Sequence, residues 1–267
     1  MRHFLLVLLL ASSCVSVRAQ APDCASMMQQ ALETTEFNQS IDDMMEMMNS
    51  EEFMRQAMGG KGDIEVMNVV RPILRKHFDG PSMKKELRDR MTTHCNPQQM
   101  TLVLQELQSP VVAQMIRLDA EARTPEGKQK LQRYARAMQV APPSETRLSM
   151  IQAFDEQAGV TAFAMDSMIA ATRGMMAGAG APPEVLSQFD THRAEIKARI
   201  QNSILLALSS AYRNVGRADL EAFAKELSTP PLKGFYDQAR KAFVGMTEAR
   251  CTAIGKELKV TMEARQK

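Results

Sequence analysis

Apolar residues recur along nearly the whole chain at intervals of three and four, with few β-branched runs. This is the spacing of helices that each bury one face, and it predicts an all-α protein, a helical bundle. The pattern is clearest at Met100, Val103, Leu104 and Leu107, which share one helical face. A matching set follows in the second half at Leu220, Phe223, Ala224 and Leu227. Each set runs into the same signal, Glu-Leu-x-Ser/Thr-Pro, at Glu106–Pro110 and Glu226–Pro230. Beyond each proline the apolar face resumes, at Val112, Met115 and Ile116 and at Leu232, Phe235 and Tyr236.

These two stretches predict helix corners. A proline bars helix in the residue before it, so the incoming helix stops there. Its missing N–H costs nothing at the start of the next helix, and its fixed φ suits that start. Ser109-Pro110 and Thr229-Pro230 therefore mark structural corners, as do Asn96-Pro97 and Thr124-Pro125. In each pair the Asn, Ser or Thr oxygen is expected to accept a hydrogen bond from a free first-turn amide.

Two copies of the corner suggest two tandem, similar helical units, residues 20–140 and 144–267, divided at Gln139–Glu145 by Pro142, Pro143 and the capping Ser144. Gly174–Glu184 reads as a second interruption and the most flexible stretch, and Gly59–Asp63 as a third. A long final helix is expected from Pro230 to near Ala264, with Leu232, Phe235, Ala239, Phe243 and Met246 along one stripe.

The first residues follow a different rule. Arg2 precedes an apolar run from Phe4 to Val17, too short to span a bilayer, and Val17-Arg18-Ala19 places small residues where a signal peptidase reads. Residues 1–19 are expected to be a signal peptide, with Gln20 the mature terminus. Lipidation at Cys14 is the rival, weakened by Ala11 in place of the usual Leu. Export, to the periplasm or the exterior, follows in either case. Losing Arg2 and Arg18 brings the 33 basic residues level with the 31 acidic ones, so nothing in the charge argues for a nucleic-acid partner. No later apolar run is long enough for a membrane helix.

Export also places Cys24, Cys95 and Cys251 where disulfides persist. An odd number leaves one unpaired or bonded to another chain. Cys24–Cys95 is the favoured pair because both flank helical segments of the first half; three separate buried thiols are the alternative.

Candidate chemistry is sparse. The chain has no Gly-x-Ser-x-Gly, P-loop or His-Glu-x-x-His pattern. His94 adjoins Cys95, but neighbours on a helix point about 100° apart and do not readily share one ion. Asp42, Asp43, Glu46, Glu51 and Glu52 cluster, with Asp155 and Glu156 elsewhere. Such acids could form a hydrolytic pair, although solvated helix faces account for them more simply.

Composition adds one oddity: 22 methionines, no tryptophan and 5% aromatics. They are densest in Asp42–Met58. As one continuous helix this stretch would gather Met44, Met45 and Met48 on one side, with Met47, Met54 and Met58 adjoining. Core packing by an adaptable side chain is the plain reading. An apolar groove, or Cu(I) ligation by Met44, Met45, Met47 and Met48, are the functional ones.

The second corner, with Leu220 and Phe223, Glu226-Leu227, Thr229-Pro230, Gly234 and Phe235-Tyr236, resembles a bacterial secreted or periplasmic domain-of-unknown-function family. Its members read Leu-x-x-Phe-x-x-Ser-Pro-x-Gly and continue into an aromatic-containing helix. Thr229 replaces the serine and the glycine spacing differs. The first corner keeps Leu107-Gln108-Ser109-Pro110 without the glycine or the aromatics. The resemblance implies an envelope location and a helical fold, with no activity or catalytic residues. The expectation is thus a non-catalytic exported protein, with no cofactor, binding an envelope partner or an apolar ligand. Met-based Cu(I) binding and a weak cell-wall hydrolase are its alternatives.

Overall fold

The computed structural model describes residues 23–50, 64–186 and 193–265. Twelve α-helices make up the described residues, with no strand among them. In chain order they are α1 (Cys24–Thr34), α2 (Phe37–Asn49), α3 (Ile64–His77), α4 (Gly80–Thr92), α5 (Pro97–Leu107) and α6 (Pro110–Arg123). They continue as α7 (Pro125–Val140), α8 (Glu145–Ala158), α9 (Val160–Gly178), α10 (Arg193–Ala211), α11 (Arg217–Leu227) and α12 (Pro230–Arg265). The expected signal peptide, Met54, Met58 and Gly59–Asp63 lie outside the described residues.

The 36-residue α12 is the axis of the bundle. Its expected stripe, Leu232, Phe235, Ala239, Phe243 and Met246, is buried and continues through Cys251 and Ile254. Helices α9, α3, α4, α5 and α11 pack on it. Both halves of the chain feed one hydrophobic core. Phe37 of α2 shows this directly, with its ring meeting those of Phe163 on α9 and of Phe235 and Tyr236 on α12.

Both corners form as the prolines predict. Pro110 opens α6 and Pro230 opens α12, and the expected apolar faces all lie in the core or packed against it. The corners also meet. Helix α5 packs on α12, α11 packs on α6, and the Thr229 hydroxyl donates to Glu106 Oε2 at 2.6 Å.

That contact corrects the capping expectation. Asn96 accepts from the amides of Gln98 and Gln99, and Thr124 from that of Gly127, as expected. Thr229 instead donates, to Glu106 and to the Glu226 carbonyl, and Ser109 makes no capping bond. Ser109 Oγ is buried with no partner among the described residues. At these corners the proline carries the helix start and the hydroxyl is free for other work. Pro231 also removes the next amide after Pro230, which leaves Thr229 fewer donors to accept from.

Gly174–Glu184 also departs from expectation. Helix α9 runs straight through Gly174 to Gly178, so the interruption begins only at Ala179. These glycines are contact points. A Cβ on Gly174 would lie 2.4 Å from the Glu248 carbonyl oxygen, one on Gly178 2.1 Å from that of Thr252, and one on Gly255 2.0 Å from that of Met175. Three missing side chains let the backbones of α9 and α12 touch. The first part of what reads as a flexible run, Gly174 to Gly178, is a close helix crossing.

Cys24 and Cys95 are paired, with Cα atoms 6.0 Å apart, fastening α1 to the link between α4 and α5. The pairing also removes Cys95 as a thiolate partner for His94. Cys251 is free and buried, and burial raises its thiol to a pKa of about 11.

Candidate functional site

The methionine stretch does not become one helix, because α2 stops at Asn49. Met44 and Met45 are half-buried and pack against the core, Met45 over Gly80. Met47 and Met48 fall in the last turns of α2. Asp42, Asp43 and Glu46 serve as ties, while Glu51 and Glu52 lie outside the described residues. Asp42 pairs with Lys84 at 2.7 Å, Asp43 with Arg123 at 2.6 Å and Glu46 with Lys128 at 3.0 Å, which fixes α2 to α4, α6 and α7. Asp155 is 2% exposed and holds the α8–α9 corner, accepting from the backbone amide and the hydroxyl of Thr161 at 2.8 and 2.6 Å.

A cavity of about 940 Å³ lies instead where the two halves meet. Its wall combines the α1–α2 junction with α6, α7, α8, α10, α11 and α12. Phe154, Leu208, Phe223 and Leu131 give it an apolar side. Phe154 stacks on Phe223 and sets its edge against Tyr212, with ring centres 5.4 and 5.5 Å apart, so the aromatic wall is braced from behind.

The polar side is built from residues that stand where apolar ones would be expected. Val112, Met115 and Ile116 put the buried face of α6 toward the core, and Asp119 continues that face one turn on. Arg123 follows by another turn. Tyr212 follows buried Leu208 by one turn, and Tyr236 and Arg240 extend the Leu232 stripe of α12. Glu36 enters from the α1–α2 junction, anchored by the buried Phe37 beside it.

These groups are tightly connected. Tyr212, 1% exposed, donates its hydroxyl to Asp119 Oδ1 at 2.7 Å. Arg123 donates to Glu36 Oε2 at 2.9 Å and to Asp43 Oδ2 at 2.6 Å. Arg240 donates to the Ala158 carbonyl, and its guanidinium lies 5.7 Å from the ring centre of Tyr236 and 5.9 Å from that of Phe163.

The electrostatics follow from this crowding. Burial and then the negative charge of Glu36 push the Asp119 carboxyl up to about 7, against the opposing pull of the Tyr212 hydrogen bond and Arg123. Asp119 still faces the cavity and is half-buried by area, because protein surrounds it on the other sides. Burial also drives the Tyr212 and Tyr236 phenols above their usual range, helped by the carboxylates nearby. For Arg123, burial opposes the charge but Glu36 and Asp43 outweigh it, so the guanidinium is held protonated more firmly than usual.

Such a wall can do two things: hold an apolar body against the rings and exchange one proton near neutrality. None of Glu36, Asp119, Tyr212 or Arg240 stands out by motif. The available signal is polar residues at positions that the helical period assigns to the buried face. Neither Met44 nor Met45 lines the cavity, nor do the corner residues Ser109, Pro110, Thr229 and Pro230, although Leu227 and Ser228 beside the second corner do. Among the described residues, no three His, Cys, Asp or Glu side chains converge as a metal site would require, and no helix is long and apolar enough to cross a membrane. No family model, curated protein or solved structure matches the chain.

Proposed function

We propose that this is an exported helical binding protein of the bacterial envelope that holds a small amphipathic molecule in the cavity between its halves. The observation that carries the reading is the cavity itself. Its volume of about 940 Å³ lies in the range of small-molecule sites, and it pairs an aromatic and aliphatic wall with a few convergent polar groups. The signal-peptide pattern and the resemblance to a secreted helical family support the location.

Filling the cavity tests this. Ala211 lines it, and Ala211→Trp would occupy its space and give a chain without tryptophan its only indole. Titration with 1-octanol should show one saturable site in the mature protein and none in Ala211→Trp, with far-UV circular dichroism unchanged. Octanol binding that the tryptophan leaves intact overturns the reading. So does catalytic turnover on a cell-wall glycan or peptide that disappears in Asp119→Asn, because the acid would then be a reactant.

A further inference from the structure

The lining carries as many acids as bases, but they are unevenly placed, and around Arg123 the acids are in excess. Glu36 and Asp43 share a single counter-charge, Arg123, so this side of the wall is negative even before Asp119 ionises. Asp119 adds a second negative group of the wall, held toward the cavity by the Tyr212 hydroxyl. On the α12 side Lys233 is paired with Asp237, and Arg240 is occupied by the Ala158 carbonyl and two aromatic rings. Lys130 of α7 and Arg213, just past the end of α10, also reach the lining; Glu33 of α1 and Glu121 of α6 do too, the first hydrogen-bonded by Gln29 and the second paired with Arg117, while α8 and α11 present Phe154 and Phe223.

We propose that the cavity's ligand is an amphipathic amine, its ammonium seated against Glu36 and Asp119 beside Tyr212 and Tyr236, its apolar part against Phe154 and Phe223. The inference rests on the cavity being a binding site and adds the charge of the ligand. Around the single guanidinium of Arg123, Glu36, Asp43 and an ionised Asp119 leave negative charge without a partner, and an ammonium supplies it. The tyrosine rings add to the attraction, because a cation near a ring face is drawn to its negative centre. In the empty cavity Asp119 takes up a proton near neutral pH, since burial and Glu36 raise its pKa to about 7. An ammonium arriving beside it would release that proton. Binding should therefore strengthen as pH rises toward and past neutrality, and weaken about tenfold for each unit below it.

Calorimetric titration of the mature protein with n-octylammonium, 1-octanol and octanoate between about pH 5 and about pH 9 tests this, the chain length being common to all three. The expected order at the alkaline end is octylammonium tightest, by about tenfold over octanol, with octanoate weakest. Only octylammonium should weaken on acidification. Asp119→Asn should abolish both its advantage and its pH dependence while octanol still binds. Tyr212→Phe removes a hydrogen bond that favours the ionised acid, so the midpoint of the pH dependence should move upward. Octanol binding with no preference for the amine, or tightest binding of octanoate, overturns the inference and leaves the binding-protein reading standing. Failure of all three ligands overturns both.

Discussion

Asp119 is placed on the buried face of α6, one turn beyond Met115, and that placement has a cost that can be measured. Its folded-state pKa of about 7 lies above the ordinary 3.8. Between these values the native protein keeps a proton that the unfolded chain has released, so stability falls as pH rises through this window and then levels off. Asp119→Asn retains an oxygen for the Tyr212 hydroxyl and never ionises. The urea midpoint of the variant should therefore gain on that of the unaltered protein from about pH 4 to about pH 8. A constant difference across that range would show Asp119 titrating as an ordinary exposed acid.

At the scale of helices, two features divide what propensity dictates from what packing dictates. Thr124 caps α7 through the Gly127 amide, whereas Ser109 caps nothing and its hydroxyl is buried without a partner. Thr124→Ala should cost about 1 kcal/mol. Ser109→Ala should cost nothing or stabilise slightly, because it removes a desolvated hydroxyl that forms no bond. Equal losses from the two would mean that Ser109 caps α6 after all. The α9–α12 crossing makes a second contrast. A Cβ on Gly178 would stand 2.1 Å from a carbonyl oxygen of α12, which backbone can relieve only by parting the helices. Gly234, on the same α12, has nothing within 4 Å of an added Cβ. Gly178→Ala should lose about 1–3 kcal/mol in urea unfolding. Gly234→Ala should gain up to about 1 kcal/mol from helix propensity alone.

For the molecule as a whole, the shared core decides how it unfolds. Phe37 packs with rings of the second half, the two corners are tied through Thr229 and Glu106, and α12 touches helices from both halves. Far-UV circular dichroism and tyrosine fluorescence should therefore report one coincident transition in urea. Two separated transitions would mean that the halves are stable alone. Reduction of Cys24–Cys95, which spans 71 positions of chain, should lower the stability of the whole transition by about 2–4 kcal/mol. The cavity lies along the same seam, so binding there should raise the single midpoint as ligand is added.

The helices, the corners at Pro110 and Pro230, the α12 stripe and the Cys24–Cys95 pairing were all legible in the chain, most of them because they rest on local rules: a helical period, a fixed φ, a missing amide. The cavity was not, because Glu36, Asp119, Tyr212 and Tyr236 come together only through the packing of α6, α10 and α12 with the α1–α2 junction. Each of these residues alone resembles an ordinary surface or core side chain. Ser109 and Thr229 share a motif yet differ in use, since the hydroxyl of each bonds to whatever the opposing corner offers. Gly174 and Gly178 depart from their local rule for the same reason. A glycine widens the conformational freedom of an isolated chain, but against a neighbouring backbone it permits close approach, and only the tertiary structure shows which neighbour is there.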